Sequence, residues 1–223
     1  MQEKLIKEIL EAGGQFGYSK TKRHPSTKNY VFGTKNNADI IDVTETAEML
    51  ENAIKFTKKL AEEKKTILFV SSKPEAKKIM EAAAKELGMP YVENRWIGGT
   101  LTNFPQISKR INVLIDLKNK KEKGGLEKYT KKERSDFDRK IEKMTKSFGG
   151  LVGMIKKPDA VFMIDAKKER ISLTEANMMK IPVISLSNTD NNIRNVDLPI
   201  IGNDASRTSI EFFVKKIVEA YKS

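Results

Sequence analysis

The chain has 223 residues, with 42 Lys plus Arg against 30 Asp plus Glu, a net charge of +12, one histidine and no cysteine. That length makes one large domain, or one domain with an insertion, whose core needs no staple, and the missing cysteines exclude disulfides, thiolate metal sites and cysteine nucleophiles. The longest uncharged stretch, Trp96 to Ser108, has 13 residues against the ~20 of a membrane helix, and the N-terminus MQEKLIKEIL is too charged for a signal peptide, so a soluble, basic protein with polyanionic partners is expected.

In chain order, short apolar runs read as buried strands: Tyr30–Phe32, Ile40–Val43, Thr66–Val70, Ala160–Ile164, Ile181–Leu186 and Pro199–Ile201. Most are apolar on both faces, as parallel strands covered by helices on each side must be. Helical patterns lie between them. Residues 45–63 align Ala47, Leu50, Ile54 and Ala61 on one stripe. Ser72-Lys73-Pro74-Glu75 reads as a capping box opening a helix that stops near Gly88. Residues 206–221 repeat Ile210, Phe213, Val214, Ile217, Val218 and Tyr221 at helical spacing. The alternation predicts a three-layer α/β domain with a mainly parallel sheet.

Residues 106–148 interrupt it. Ile107, Ile111 and Leu114, then Phe137, Ile141, Met144 and Phe148, are spaced by threes and fours around Gly124-Gly125. That narrow seam predicts an antiparallel coiled-coil helical hairpin, inserted into a discontinuous α/β domain of residues 1–105 and 149–223. The net charge is uneven: +4 in 1–37, −1 in 38–105, +7 in 106–148 and +2 in 149–223. Such concentration favours a polyanion-binding surface. The hairpin candidates are Lys109, Arg110, Lys131, Lys132, Arg134, Arg139 and Lys143. In the N-terminal loop Lys20, Lys22, Arg23, His24 and Lys28 alternate with serines and threonines, residue types that neutralise and hydrogen-bond phosphates.

Other chemistry finds little support. Gly149-Gly150-Leu151-Val152-Gly153 has the wrong spacing for a dinucleotide turn and precedes a strand, and no lysine follows Gly98-Gly99 as in a P-loop. Asp165 ends a strand where a phospho-acceptor would sit, without the acidic pair and lysine that such a site needs. Ser187-Asn188-Thr189-Asp190-Asn191-Asn192 could offer oxygen ligands to a hard cation, but a polar strand-to-loop turn is the favoured reading. No Ser/His/Asp arrangement can be argued from a single histidine.

Three blocks resemble the ribosomal protein S-two family in its bacterial or organellar form: Glu11–Tyr18 with Tyr30–Gly33 and Ile40–Asp42; Pro90–Phe104; and Pro158-Asp159, Phe162–Asp165, Glu175-Ala176, Ile181–Val183 and Gly202–Asp204. The resemblance runs from about residue 5 to residue 221. It implies a flavodoxin-like body with a coiled-coil hairpin, bound to small-subunit ribosomal RNA and neighbouring ribosomal proteins in the small ribosomal subunit of the cytoplasm or an organelle. Within the second block it adds Arg95 and Asn103 as RNA-contact candidates. The family commonly has histidine at the positions of Gln15 and Tyr18, so no metal site is expected. Nor is a cofactor, a small-molecule substrate, a membrane contact or a homo-oligomer in the assembled particle. The competing reading is a basic α/β enzyme or nucleotide-binding switch.

Overall fold

Five apolar segments become the parallel sheet. A computed structural model describes residues 2–127 and 129–223; in it β4 (Ile67–Val70), β5 (Tyr91–Val92), β6 (Ala160–Ile164), β7 (Val183–Ser187) and β8 (Leu198–Ile201) pair in the order β5-β4-β6-β7-β8. All four pairings are parallel. Counted along the chain this is 2-1-3-4-5, the order of flavodoxin-like domains. Each strand serves two cores because successive side chains point to opposite faces. Ile67, Phe69, Phe162 and Ile184 face one apolar cluster, and Leu68, Val70, Val161 and Val183 face the other.

The first cluster is covered by α1 (Gln2–Glu11), α2 (Val43–Glu62), α3 (Pro74–Leu87) and α7 (Arg207–Lys222), through Leu5, Leu50, Met80 and Phe213 among others. The second is covered by α4 (Phe104–Glu122), α5 (Lys131–Phe148) and α6 (Arg170–Met178). The helix pair thus joins the body at its base. Ile107, Ile111, Leu114 and Phe148 lie in the same cluster as Leu68 and Val161. Further out α5 buries less, with Phe137, Ile141 and Met144 half-buried, and Tyr129 packs edge-on against Phe137 at 5.1 Å between ring centres.

Two local expectations are corrected. The runs at Tyr30–Phe32 and Ile40–Val43 do not join the parallel sheet. β2 (Val31–Lys35) and β3 (Ala38–Ile41) form an antiparallel hairpin, with β1 (Phe16–Ser19) on the other side of β3. Asn36 and Asn37 have φ of 50° and 63°, the left-handed pair that a two-residue hairpin turn requires, and a connection that short permits only antiparallel pairing. The capping box at Ser72–Glu75 does not form either. Lys73 is the N-cap without a side-chain cap, Pro74 opens the helix, and the Ser72 hydroxyl donates instead to Glu169. Proline's fixed φ and missing N–H suit that first position. The helix does stop at Gly88, in the left-handed region. The capping box that forms joins Thr130 and Glu133 and opens α5.

Candidate nucleic-acid interface

The N-terminal basic loop is held to the body by backbone geometry. Ser19 caps a 3-10 turn over Lys20–Lys22, and His24 caps a second one over Pro25–Tyr30 by accepting at Nδ1 from the Ser26 N–H at 3.2 Å. The His24 N–H donates to the Thr189 carbonyl at 2.8 Å, and the buried Thr27 hydroxyl donates to the same oxygen at 2.6 Å. Arg23 is committed to the body as well. Its Nε donates to Asp39 Oδ2 at 2.7 Å, and its Nη2 reaches Asp39 Oδ1 and Thr34 Oγ1. This guanidinium holds the fully buried Asp39 carboxyl below the usual carboxylate range, as a charge-assisted bidentate pair does. Lys20, Lys22 and Lys28 are left exposed on the loop.

The helix pair gathers cations differently. A groove of about 780 Å³ runs between the start of α4 and the end of α5, with Asn103, Arg110, Lys140 and Lys143 on its walls and Ile107 and Phe148 in its floor. A separate hollow of about 470 Å³ is lined by Lys131, Lys132 and Arg139 with Ser135 and Asp136. Lys109 and Arg134 are exposed outside both. Among the described residues, Lys109, Arg110, Lys131, Lys132, Arg134, Lys140 and Lys143 make no ion pair, whereas Arg139 lies 3.7 Å from Asp136. The sequence reading missed Lys140. The signal was there: Lys140 and Lys143 each directly precede a seam residue, Ile141 and Met144, which puts both on the flank of one seam.

Arg95 and Asn103 flank a loop built around a buried carboxylate. Glu175 accepts from Trp96 Nε1 at 3.0 Å, from the Gly99, Leu101 and Thr102 N–H groups and from the Thr102 hydroxyl. Burial would raise this carboxyl, but five donors together hold it below its ordinary value. Gly99 takes φ +88° within the turn, so the loop needs a residue without a side chain there. Arg95 and Asn103 emerge exposed on either side of it.

At the carboxyl ends of the strands, where α/β enzymes bind substrates, the buried lysine and its two aspartates satisfy one another. Lys73 Nζ lies 3.1 Å from Asp165 and 3.0 Å from Asp204, with the Tyr18 ring centre 5.8 Å away. Burial pulls the Lys73 ammonium down, yet the two aspartates outweigh it and raise it. Burial also pushes the Asp204 carboxyl up to about 6 against the pull of Lys73. Asp165 therefore has a lysine partner, Lys73, from the loop after β4. The Asn188–Asn192 turn is occupied by its own contacts. Asp190 Oδ2 accepts from Lys167 Nζ at 2.8 Å, Asn191 Oδ1 from the Lys167 N–H at 2.6 Å, and Asn188 Oδ1 from the Thr189 N–H at 2.7 Å. Among the described residues no three acidic or imidazole groups converge as metal ligands do.

Comparison with known proteins gives the family to which the chain is similar. The model of the family described as ribosomal protein S2 matches residues 9–223. A small ribosomal subunit protein uS2 of Dictyoglomus thermophilum is 40% identical over 216 residues, covering 97% of this chain and 88% of the relative. One from Francisella philomiragia is also 40% identical over 216 residues, covering 97% of this chain and 90% of its own length.

Proposed function

The chain belongs to the ribosomal protein S2 family, and from that premise we propose that it is held in the small subunit by phosphate and shape contacts to ribosomal RNA, made by the helix pair and the N-terminal loop. As a member it is a structural constituent of the small ribosomal subunit, serving translation, and not an enzyme. Its partners are small-subunit ribosomal RNA and neighbouring ribosomal proteins. We propose further that it acts there as a single copy, in the cytoplasm or, for an organellar source, in the organelle's matrix.

The observation that carries the RNA reading is the groove between α4 and α5, lined by Arg110, Lys140 and Lys143, which among the described residues are in no ion pair. A folded protein that leaves cations crowded and unpaired on one face has a surface suited to phosphates. Lys20, Lys22, Lys28, Lys109, Lys131, Lys132, Arg134 and Arg139 add contacts, and Arg95 and Asn103 extend the surface onto the body. Arg23 and His24 serve by fixing the loop that presents the lysines. The one tryptophan and five tyrosines do not furnish the exposed aromatic row of a single-strand stacking platform, which favours shape and phosphate recognition.

The test is a salt titration of binding to a small-subunit RNA fragment. Arg110→Gln/Lys140→Gln/Lys143→Gln should flatten the log–log slope by about two to three units, at ~0.7 to ~0.9 for each of three phosphates lost, and weaken binding to all sequences alike. An unchanged slope would remove the groove from the RNA interface.

A further inference from the structure

In a 2-1-3-4-5 sheet the chain leaves β4 toward one edge and later returns to β6 on its other side, so a crevice opens between the loops that follow β4 and β6. Here that crevice holds a hollow of about 220 Å³, large enough for one phosphate group. It is distinct from the groove between α4 and α5.

Its walls come from three connections. The loop after β4 and the first turns of α3 supply Ser72 and Lys77, the loop after β5 supplies Asn94 and Arg95, and the loop after β6 supplies Lys168. Three cations therefore surround one small space. Lys77 Nζ donates to Asn94 Oδ1 at 2.9 Å, which spends one of its three protons and aligns the other two. Among the described residues, none of the three cations is in an ion pair.

The carboxylate in the wall, Glu169, does not oppose an anion strongly. Its Oε1 accepts from the Ser72 N–H and hydroxyl, both at 2.6 Å, and its side chain is 3% exposed. Burial raises its carboxyl above the ordinary value. Among the residues lining the hollow, three cations face one capped acid.

We infer that this hollow seats one phosphate group of ribosomal RNA, gripped by Lys77, Arg95 and Lys168, as a contact on the α/β body separate from the helix pair. The inference rests on the RNA reading above and adds a site to it. Of these cations only Arg95 was suspected from sequence, because the other two come from helices and loops far apart along the chain.

The hollow carries its own reporter. Trp96, the chain's single tryptophan, lies in its wall. Full-length protein and an Arg95→Gln/Lys168→Gln variant, both checked for native circular dichroism, are titrated with a small-subunit RNA fragment, inorganic phosphate and adenosine monophosphate. Salt slope and Trp96 fluorescence are read together. The expected result is a slope flatter by ~0.7 to ~0.9 in the double variant, one phosphate's worth, with a Trp96 response to RNA that the variant loses. RNA binding with an unchanged slope in the double variant would overturn the seat while leaving the RNA reading intact. Wild-type protein that fails to bind the fragment would overturn that reading itself. A Trp96 response to phosphate or the nucleotide but not to RNA would assign the hollow to a small anion and overturn the RNA source.

Discussion

The buried lysine–aspartate cluster at the strand ends and the helix pair both collect charge, and they dispose of it in opposite ways. In the cluster a lysine that is only 8% exposed sits between two aspartates. On the helix pair Arg110, Lys140 and Lys143 line an open groove and, among the described residues, are in no ion pair. Buried charge must be compensated where it stands, since an unpaired ion in the interior costs several kcal/mol. Exposed charge is hydrated and can wait for a partner. Net charge alone therefore does not locate an interface; what matters is which cations the fold has already answered.

The largest expected effect tests where the helix pair ends and the body begins. Cutting out 106–148 whole would remove Ile107, Ile111, Leu114 and Phe148 from the second core cluster. At roughly 2–5 kcal/mol for each large buried side chain, the loss rivals the ~5–15 kcal/mol of a whole domain. We propose that the separable unit is the outer part. Replacing 116–138 by a short glycine linker should keep a cooperative thermal transition, and the 106–148 deletion should lose it. Loss of cooperativity in both would make the outer helices part of the folding unit, and its retention in both would make even the shared base dispensable.

The cluster is probed through Asp204. Its carboxyl is raised from 3.8 to about 6, with burial the largest cause and Lys73, Asp165 and Asn188 its neighbours. An acid raised in the folded state contributes stability below its unfolded value, and that contribution disappears as pH climbs to the folded value. The window is thus about pH 4 to 6, and at ~1.4 kcal/mol per unit the loss is up to about 3 kcal/mol. Asp204→Asn removes this titration but leaves the lowered carboxyls, such as Asp39 and Glu175, to titrate in both proteins. The stability of Asp204→Asn relative to wild type, from urea unfolding, should rise between pH 4 and 6 and stay level above. A difference that falls across that window would mean that Lys73 outweighs burial at Asp204.

How much of this could be read from the sequence depended on the distance over which the evidence was written. The parallel strands were legible because each carries apolar residues on both faces, and the helix pair because its seams repeat at threes and fours. The hairpin of β2 and β3 was misassigned because a three-residue apolar run does not name its partner; the Asn36-Asn37 turn held that information. The Arg23–Asp39 pair needed the same hairpin to bring two residues 16 apart into contact. Glu175 and the hollow beside Trp96 were out of reach. Their partners come from loops 73 to 97 residues apart, joined only by strand order.

The smallest expected effect on stability falls on the helix pair itself, and its sign discriminates. α5 carries Lys131, Lys132, Arg134, Arg139, Lys140, Lys143 and Lys146, of which only Arg139 and Lys146 pair with acids of the same helix. Like charges three or four apart on a helix destabilise it by a few tenths of a kcal/mol, and that repulsion is screened by salt. If the cations of the groove are kept for a polyanion, the free protein is slightly worse off for them. Arg110→Gln/Lys140→Gln/Lys143→Gln should then gain about 0.5 kcal/mol in low salt, measured by urea unfolding, with the gain fading toward 1 M salt. RNA binding should weaken in the same variant. A loss of stability would instead mean that these side chains hold α4 to α5, through their methylene stems lying along Ile107 and Met144. Surfaces used for function commonly sit below their stability optimum, and opposed changes in stability and RNA affinity would place this groove among them.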